Sequence, residues 1–335
     1  MLDIRFATKE DNEKLLDIER RSAQEGKIWV VGYKENFFDR LKYYGNGSIL
    51  LAEEKGDIIG CIGIAFDEYL VDSVPRKAIY LFGLRTNPAY RMKIARWLKA
   101  IIQELENRYG ESEFDFAYAS VKADNTASKK ILAHMGFSRF ATLDFYACPV
   151  LHRIKSTGVY VERPDMNRVR GLYSGMSGRF DLVPKHTRIF EPMIEEERLK
   201  LFTGEGASAL VFDTSGESDF GIAKLSPGLR AFQVAGRSLL SPLARVPGMK
   251  ERLRIWDVLI LDYGTPRAAR RVVAEIHKEA WKEKVTLLNF ARDSTLGSLK
   301  SAIGPLSFKI PFDIMIFEKK EIPRKGRPVI WVPAL

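Results

Sequence analysis

Apolar and polar positions change rhythm most sharply between Ile79 and Lys99, IYLFGLRTNPAYRMKIARWLK. An apolar run predicts a strand, Asn87-Pro88 breaks it, a basic turn Tyr90-Arg91-Met92-Lys93 follows, and helical spacing sets in. Around this stretch the first half orders itself. Leu2 to Ala7 alternates as a strand. Thr8, with Asp11 three positions on, has the form of a capping box opening a helix over Lys9 to Ala23, with Leu15, Leu16 and Ile18 on its apolar face. A second short helix is predicted over Glu35 to Tyr43, broken by Gly45-Asn46-Gly47. Ser48 to Glu53 and Ile58 to Phe66 predict a hairpin across Lys55-Gly56-Asp57. A strand over Lys77 to Arg85, a helix over Met92 to Tyr109 ended by Gly110, and a strand over Phe114 to Val121 come next. A helix opened by Asp124 or Asn125 and stopped at Gly136, then one or two strands over Ser138 to Leu151, complete the half. Antiparallel strands followed by two strand-helix crossovers predict a mixed α/β sheet with helices packed on its faces.

The second half runs through the same order. A linker, Ile154 to Gly158, leads to a strand over Gly158 to Glu162, a helix start at Pro164-Asp165 and a helix over Ile194 to Phe202. Ala207 to Asp213 and Gly221 to Leu225 predict a hairpin over Thr214-Ser215-Gly216. The strand Arg252 to Tyr263, the turn Gly264-Thr265-Pro266 and the helix Arg267 to Lys284 echo the Ile79–Lys99 passage. A strand over Val285 to Phe290, a helix over Ser294 to Ile303 and a strand over Phe308 to Phe317 follow. Asp293 precedes Gly304 by 11 residues, as Asn125 precedes Gly136, and the two pairs lie 168 residues apart. A repeat of domain length predicts two copies of one fold, residues 1–153 and 154–335. Ser226 to Met249, rich in Gly, Pro and Ser, has no regular period and is expected as a surface loop.

Composition adds three constraints. At 335 residues the chain exceeds what one core usually serves, which agrees with two domains. Apolar content of 46% and charged content of 29% exclude general disorder. A net charge of +10 favours anionic partners without choosing among a nucleotide cofactor, RNA and a membrane surface. Cys61 and Cys148 sit in apolar runs and are expected as buried thiols. His134, His152, His186 and His277 keep no metal-ligand spacing, so no metal is expected. The N-terminal residues carry no apolar signal core and no run approaches a membrane span, so a cytoplasmic setting is expected.

Two stretches carry chemistry. In Leu84-Arg85-Thr86-Asn87-Pro88-Ala89-Tyr90-Arg91 an aliphatic strand runs into a proline turn and a basic helix start. Unbonded helix-start amides with Arg91, Lys93 and Arg96 beside them suit a pyrophosphate, and an ordinary crossover with a solvated basic face suits them equally. In Lys122-Ala123-Asp124-Asn125 through Gly136-Phe137 an asparagine opens a helix that Gly-Phe closes. With the element order, the two stretches resemble the GNAT superfamily of acyl-CoA N-acyltransferases over about residues 1–153.

The resemblance implies two GNAT-like domains in tandem, the second degenerate, since Pro266 removes an amide where a phosphate would bind. The second domain is expected to wall the acceptor site or hold the first. The resemblance further implies an N-acetyltransferase that takes acetyl-CoA as co-substrate and an amine as acceptor. The amides of Leu84, Arg85 and Thr86 would meet the pantetheine and acetyl carbonyl, and Arg91, Met92, Lys93, Ile94, Ala95 and Arg96 the pyrophosphate. Asn125 would hydrogen-bond the pantetheine arm, or serve only as a helix cap.

Three departures stand out. The turn Met92-Lys93-Ile94-Ala95-Arg96 lacks the family's glycines and is one residue short. Leu132 replaces the tyrosine that protonates the departing thiolate in many relatives, and Tyr80 stands where some place a glutamate base. Candidates for the base are Tyr80, Glu53, Asp67 and Glu68, each with a plain structural alternative. Two other classes stay open: an aminoacyl-tRNA-dependent transferase, less favoured because no aromatic-plus-basic stretch suits stacked bases, and a catalytically inactive binding module.

Overall fold

The computed structural model describes residues 2–22, 28–32, 35–44, 46–109, 114–153, 158–215, 220–240, 242–249, 251–322 and 326–330. The first half contains β1 (Leu2–Phe6), α1 (Asn12–Arg21), β2 (Ile28–Gly32), β3 (Gly47–Glu54), β4 (Asp57–Val71), β5 (Val74–Thr86), α2 (Ile94–Tyr109), β6 (Phe116–Lys122), α3 (Thr126–His134) and β7 (Ser138–Pro149). The second contains β8 (Tyr160–Glu162), α4 (Met166–Ser174), β9 (Val183–Pro184), α5 (Glu191–Glu195), β10 (Leu199–Gly204), β11 (Ala207–Asp213), β12 (Phe220–Leu225), α6 (Pro227–Leu240), β13 (Arg252–Leu253), β14 (Ile255–Tyr263), α7 (Pro266–Lys282), β15 (Leu287–Asp293), α8 (Lys300–Ile303) and β16 (Phe308–Glu318).

One sheet of 13 strands carries both halves, in the order β1-β3-β4-β5-β6-β16-β7-β15-β14-β11-β10-β8, with β9 on the edge of β4. The last strand of the chain therefore lies inside the first half. β16 pairs antiparallel with β6, Ile316 opposite Tyr118, and with β7, Phe312 opposite Leu143. In return β7 pairs with β15, Phe290 opposite Tyr146. Polar pins fix the exchange. Asp313 of β16 accepts from the Thr142 hydroxyl at 2.8 Å and from Lys129 at 3.0 Å, while Lys309 lies 2.7 Å from Asp144. The sequence boundary near residue 153 is thus crossed in space by 308–318. Periodicity announces a strand but not its partner, and sequence distance carries no register.

Helices α2 and α3 cover one face, where Trp97, Leu98, Ile101 and Leu132 pack against Leu50, Ile79, Leu81 and Ala119. Gly60 permits the closest approach, because a Cβ there would overlap the Trp97 ring. On the other face of the first half, Tyr69, Tyr80, Phe82, Phe116 and Tyr118 join one core with Val169, Phe190, Met193, Val329 and Ile330 of the second. Helix α7 packs Val272, Val273 and Ile276 on the matching face of the second half.

Several expectations are corrected. The predicted helix at 35–43 is a 3-10 turn, Asp39–Tyr43, and Lys9–Asp11 is a 3-10 lead into α1 with the Thr8 amide donating to Asp11 at 2.8 Å. The helix predicted for Ile194 to Phe202 ends at Glu195, and Leu199–Gly204 is a strand, because alternating Leu199, Leu201 and Thr203 suit the sheet. The predicted hairpin of Ala207–Asp213 with Gly221–Leu225 does not form. β12 leaves the main sheet and pairs with β2 and β13 in a separate sheet of three strands. Residues 227–240 are helical, not a loop. Pro227 opens α6, where its missing N–H costs nothing. The helix expected over Ser294 to Ile303 is a 3-10 turn, Ser294–Leu296, then the short α8. The predicted break at Gly45, helix stop at Gly110, linker residues 154–157 and turn residue Gly216 lie outside the described residues.

The exchange generates a prediction. A fragment of residues 1–153 lacks β16, so β6 and β7 lose the strand between them. It is expected to show no cooperative thermal transition by circular dichroism, whereas the full chain does. A sharp transition in the fragment would refute the structural dependence.

Candidate active site

Beyond Leu81 the two central strands of the first half part. β5 and β6 are parallel neighbours from Ala78–Phe116 to Leu81–Ala119 only, although β5 continues to Thr86 and β6 to Lys122. The far end of β6 is taken by β16: Ser120, Val121 and Lys122 lie opposite Ile314, Asp313 and Phe312. β16 pairs the other edge of β6 along its whole length, from Phe116 to Lys122, and a wedge opens between β5 and β6 beyond Leu81 and Ala119.

At its mouth β5 carries a bulge. Phe82 is opposite Gly63 and Arg85 opposite Cys61, so Gly83 and Leu84 face the single residue Ile62 of β4. Gly83 takes φ +59°, a left-handed value that glycine adopts without penalty, and space beside its Cα is open. On the side facing the wedge, β5 has no β6 residue opposite it beyond Leu81. Thr86 adds a buried hydroxyl that has no partner among the described residues. A polar group left this way fits a ligand that completes it.

Nearby cations are unevenly committed. Arg85 of β5 donates to Glu19 of α1 at 3.0 Å and to the Leu84 carbonyl at 3.0 Å. At the turn, Lys93 bonds Glu54, which also lies 3.7 Å from Arg96. These cations, Lys93 foremost, hold the Glu54 carboxyl below its ordinary range. Residues 88–93 form a 3-10 turn capped by the Asn87 side chain, and the Ile94 amide is spent on the Arg91 carbonyl. With no glycine, the backbone closes on itself rather than around an anion. Arg91, Met92, Ala95 and Arg96 are exposed, while Lys93 and Ile94 are half-buried. Asn125 caps α3, its side-chain oxygen accepting from the Ser128 amide at 3.1 Å. Its amide nitrogen points to no partner among the described residues. Leu132 is buried under the sheet.

The structure does not bring the base candidates together. Tyr80 is buried, stacked on Tyr118 and Phe82 at centroid distances of 4.8 and 5.5 Å. Burial pushes its phenol far above the ordinary range, so it keeps its proton. Glu53 is tied to Arg5 at 3.0 Å. Asp67 pairs with Ala78, four residues along β4 from the bulge, or ~13 Å at strand rise. Burial raises its carboxyl, and the Glu68 amide donates to it at 2.7 Å. Glu68 itself is held by Lys185 and His186.

Sequence reasoning missed a small cleft of about 20 Å³ beside the bulge, between Gly83, Phe82, Arg85, Glu19 and the 3-10 turn bearing Arg40. The signal was present: Phe37, Arg40, Leu41 and Tyr44 keep i, i+3, i+4, i+7 spacing, so Arg40 shares an apolar face.

The second half repeats the geometry. β14 and β15 pair from Ile255–Leu287 to Val258–Phe290 and separate beyond. Here Asp293, the counterpart of Asn125, accepts the Val329 amide at 2.8 Å. Val329 and Ile330 are buried in the same core as Leu259 and Ile260 of β14. No cluster of metal-binding side chains occurs among the described residues, and no described helix is long and apolar enough to cross a membrane.

The sequence profile of the acetyltransferase (GNAT) family matches residues 12–137, which hold this wedge and bulge. This part of the chain is similar to that family. The solved structures that resemble the chain extend the likeness to its whole length, as a fold. N-myristoyltransferase from Saccharomyces cerevisiae, with bound myristoyl-CoA, is 12% identical, with a TM-score of 0.62 over 99% of this chain and 85% of that one. A GCN5-related N-acetyltransferase from Sphaerobacter thermophilus is 12% identical, with a TM-score of 0.57 over 99% and 98%. A tandem GNAT protein from the clavulanic acid biosynthesis pathway is 10% identical, with a TM-score of 0.54 over 96% and 99%. No curated protein sequence matches the chain. Two GNAT-like units in tandem therefore describe the fold, and in the second the helix-opening Asp293 is bonded to the Val329 amide.

One buried acid at the paired foot of the second wedge yields a prediction. Asp257 faces Asn289, whose amide donates to it at 2.9 Å, and burial pushes its carboxyl up to about 7. The folded chain keeps this proton where the unfolded chain has lost it, so this group lowers stability as pH rises from about 4 to 7. Denaturant unfolding from pH 4 to pH 8 is expected to show that loss in the wild type and a flatter profile in Asp257→Asn. Parallel profiles would contradict the assignment.

Proposed function

We propose that the protein transfers an acyl group from acyl-CoA, acetyl-CoA being the simplest donor, to an amine acceptor at the first wedge. The observation that carries this reading is the contrast between the two wedges: the first keeps its bulge and open space, while at the second Asp293 is already bonded to the Val329 amide. In this reading the second half supports the first and walls its acceptor side.

The thioester carbonyl would sit at the Gly83–Leu84 bulge, with the pantetheine arm along Leu84, Arg85 and Thr86 and against Asn125. The amine nitrogen attacks the carbonyl carbon, and the negative charge that develops on oxygen is met by main-chain N–H groups of β5 beyond Leu81. Such preorganised donors usually supply the largest share of catalysis. As the C–S bond breaks, CoA leaves as a thiolate and takes its proton from solvent, because Leu132 has none to give. The attacking amine passes its proton to water, since Tyr80, Glu53 and Asp67 are each spent elsewhere. An amine acceptor already neutral at working pH is therefore favoured.

The closed turn at 88–93 favours a second reading, a GNAT-like module that binds acyl-CoA weakly and does no chemistry. Glu54 separates the two. It occupies Lys93 and approaches Arg96, the cations nearest the expected pyrophosphate. Calorimetric titration with acetyl-CoA and myristoyl-CoA is expected to show Glu54→Gln binding several-fold more tightly than wild type, and Arg91→Glu about ten-fold more weakly. Absence of binding in the wild type and both variants would refute the transferase reading.

A further inference from the structure

Arg40 is the group in the first half that the transferase reading leaves unexplained. It projects from the 3-10 turn Asp39–Tyr43 into the cleft beside Gly83. Its Nε is buried and without a hydrogen-bond partner among the described residues, and the charge of Glu19 acts on it. The neighbouring cation, Arg85, has its own carboxylate in Glu19, with side chains 17% and 12% exposed. Among the described residues that line the cleft, two guanidinium groups face one carboxylate, Glu19. Its other walls, Phe37, Leu41, Ile49 and Phe82, are apolar. Burial foremost, then the positive charge of Arg85, pushes the Arg40 guanidinium below its ordinary range. A charge buried in such surroundings is costly, and arginine presents a planar fork matched to a carboxylate.

We propose that the cleft at Gly83 receives a carboxylate belonging to one of the two reactants, with Arg40 as its counter-ion. The inference rests on the transferase reading of the adjoining wedge. Two sources share this chemistry. The acceptor is an amine carrying a carboxylate on an apolar body, such as an apolar amino acid, or the acyl group is a dicarboxylic one that carries its second carboxylate into the cleft. In either case the carboxylate completes a two-to-two charge balance beside the reacting carbonyl. Phe37, Leu41 and Phe82 contact the carbon skeleton.

Binding and turnover test it. By thermal shift, N-acetyl-leucine is expected to stabilise the wild type and N-acetyl-leucinamide is not, if the acceptor carries the charge. Succinyl-CoA is expected to bind at least ~10-fold more tightly than acetyl-CoA if the acyl group carries it. In Arg40→Gln whichever preference exists is expected to fall at least ~10-fold, and Arg40→Lys to restore part of it, with circular dichroism confirming the fold of both. Equal binding of carboxylate and amide, together with equal binding of the two CoA thioesters, by the wild type overturns the proposal. So does a preference that survives in Arg40→Gln. Failure of the transferase reading looks different: no CoA thioester binds the wild type at all, and carboxylate binding then reports on Arg40 alone.

Discussion

The position of β16 between β6 and β7 is the constraint on which the site depends. A strand can keep two neighbours, and the far end of β6 gives its second edge to β16 while leaving β5. Pairing on one side holds β6 straight as β5, loosened by its bulge, turns away. The same event recurs in the second half, where β15 gives Ala291, Arg292 and Asp293 to β7 and leaves β14. One reciprocal exchange thus joins both halves into one sheet, with a wedge on the far side of β6 and another on the far side of β15. A change at the centre of this sheet would reach both.

What distinguishes the wedges is what the chain places beside them. The first has a glycine at φ +59°, a stretch of β5 with no β6 residue opposite it and a buried hydroxyl without a partner among the described residues. The second has a carboxylate, Asp293, that takes the Val329 amide, and an apolar segment that shares its core with β14. A single change of side chain at the helix-opening position, asparagine in one copy and aspartate in the other, goes with this difference in use. Aspartate accepts but does not donate, so it suits a main-chain N–H, whereas asparagine keeps a donor for a ligand.

Much of this order was legible in the residues. Thr8 with Asp11, Asn125 with Gly136 and Asp293 with Gly304 mark local events, and local hydrogen bonding settles them. The exchange of β16 was not legible, since its register is set by contacts from 118 to 316 and no period in the sequence encodes them. Helix α6 was hidden by composition: Pro227, Gly228 and Gly236 read as breakers, yet Pro227 opens the helix and the two glycines lie within it. The basic turn misled differently. Arg91, Lys93 and Arg96 looked like partners for a phosphate, but Glu54, distant in sequence, holds Lys93 and lies close to Arg96. Conversely, Arg40 looked like one charge among many, and its Nε is buried without a hydrogen-bond partner among the described residues.

The central claim is that an acyl-CoA thioester docks in the first wedge and not in the second. Amide hydrogen exchange followed by mass spectrometry, with and without acetyl-CoA, measures this most directly. The account predicts slowed exchange confined to peptides spanning residues 82–96 and 120–128, with 259–267 and 291–297 unchanged. Protection appearing at 259–267 and 291–297 instead, or nowhere at saturating acetyl-CoA, would contradict it.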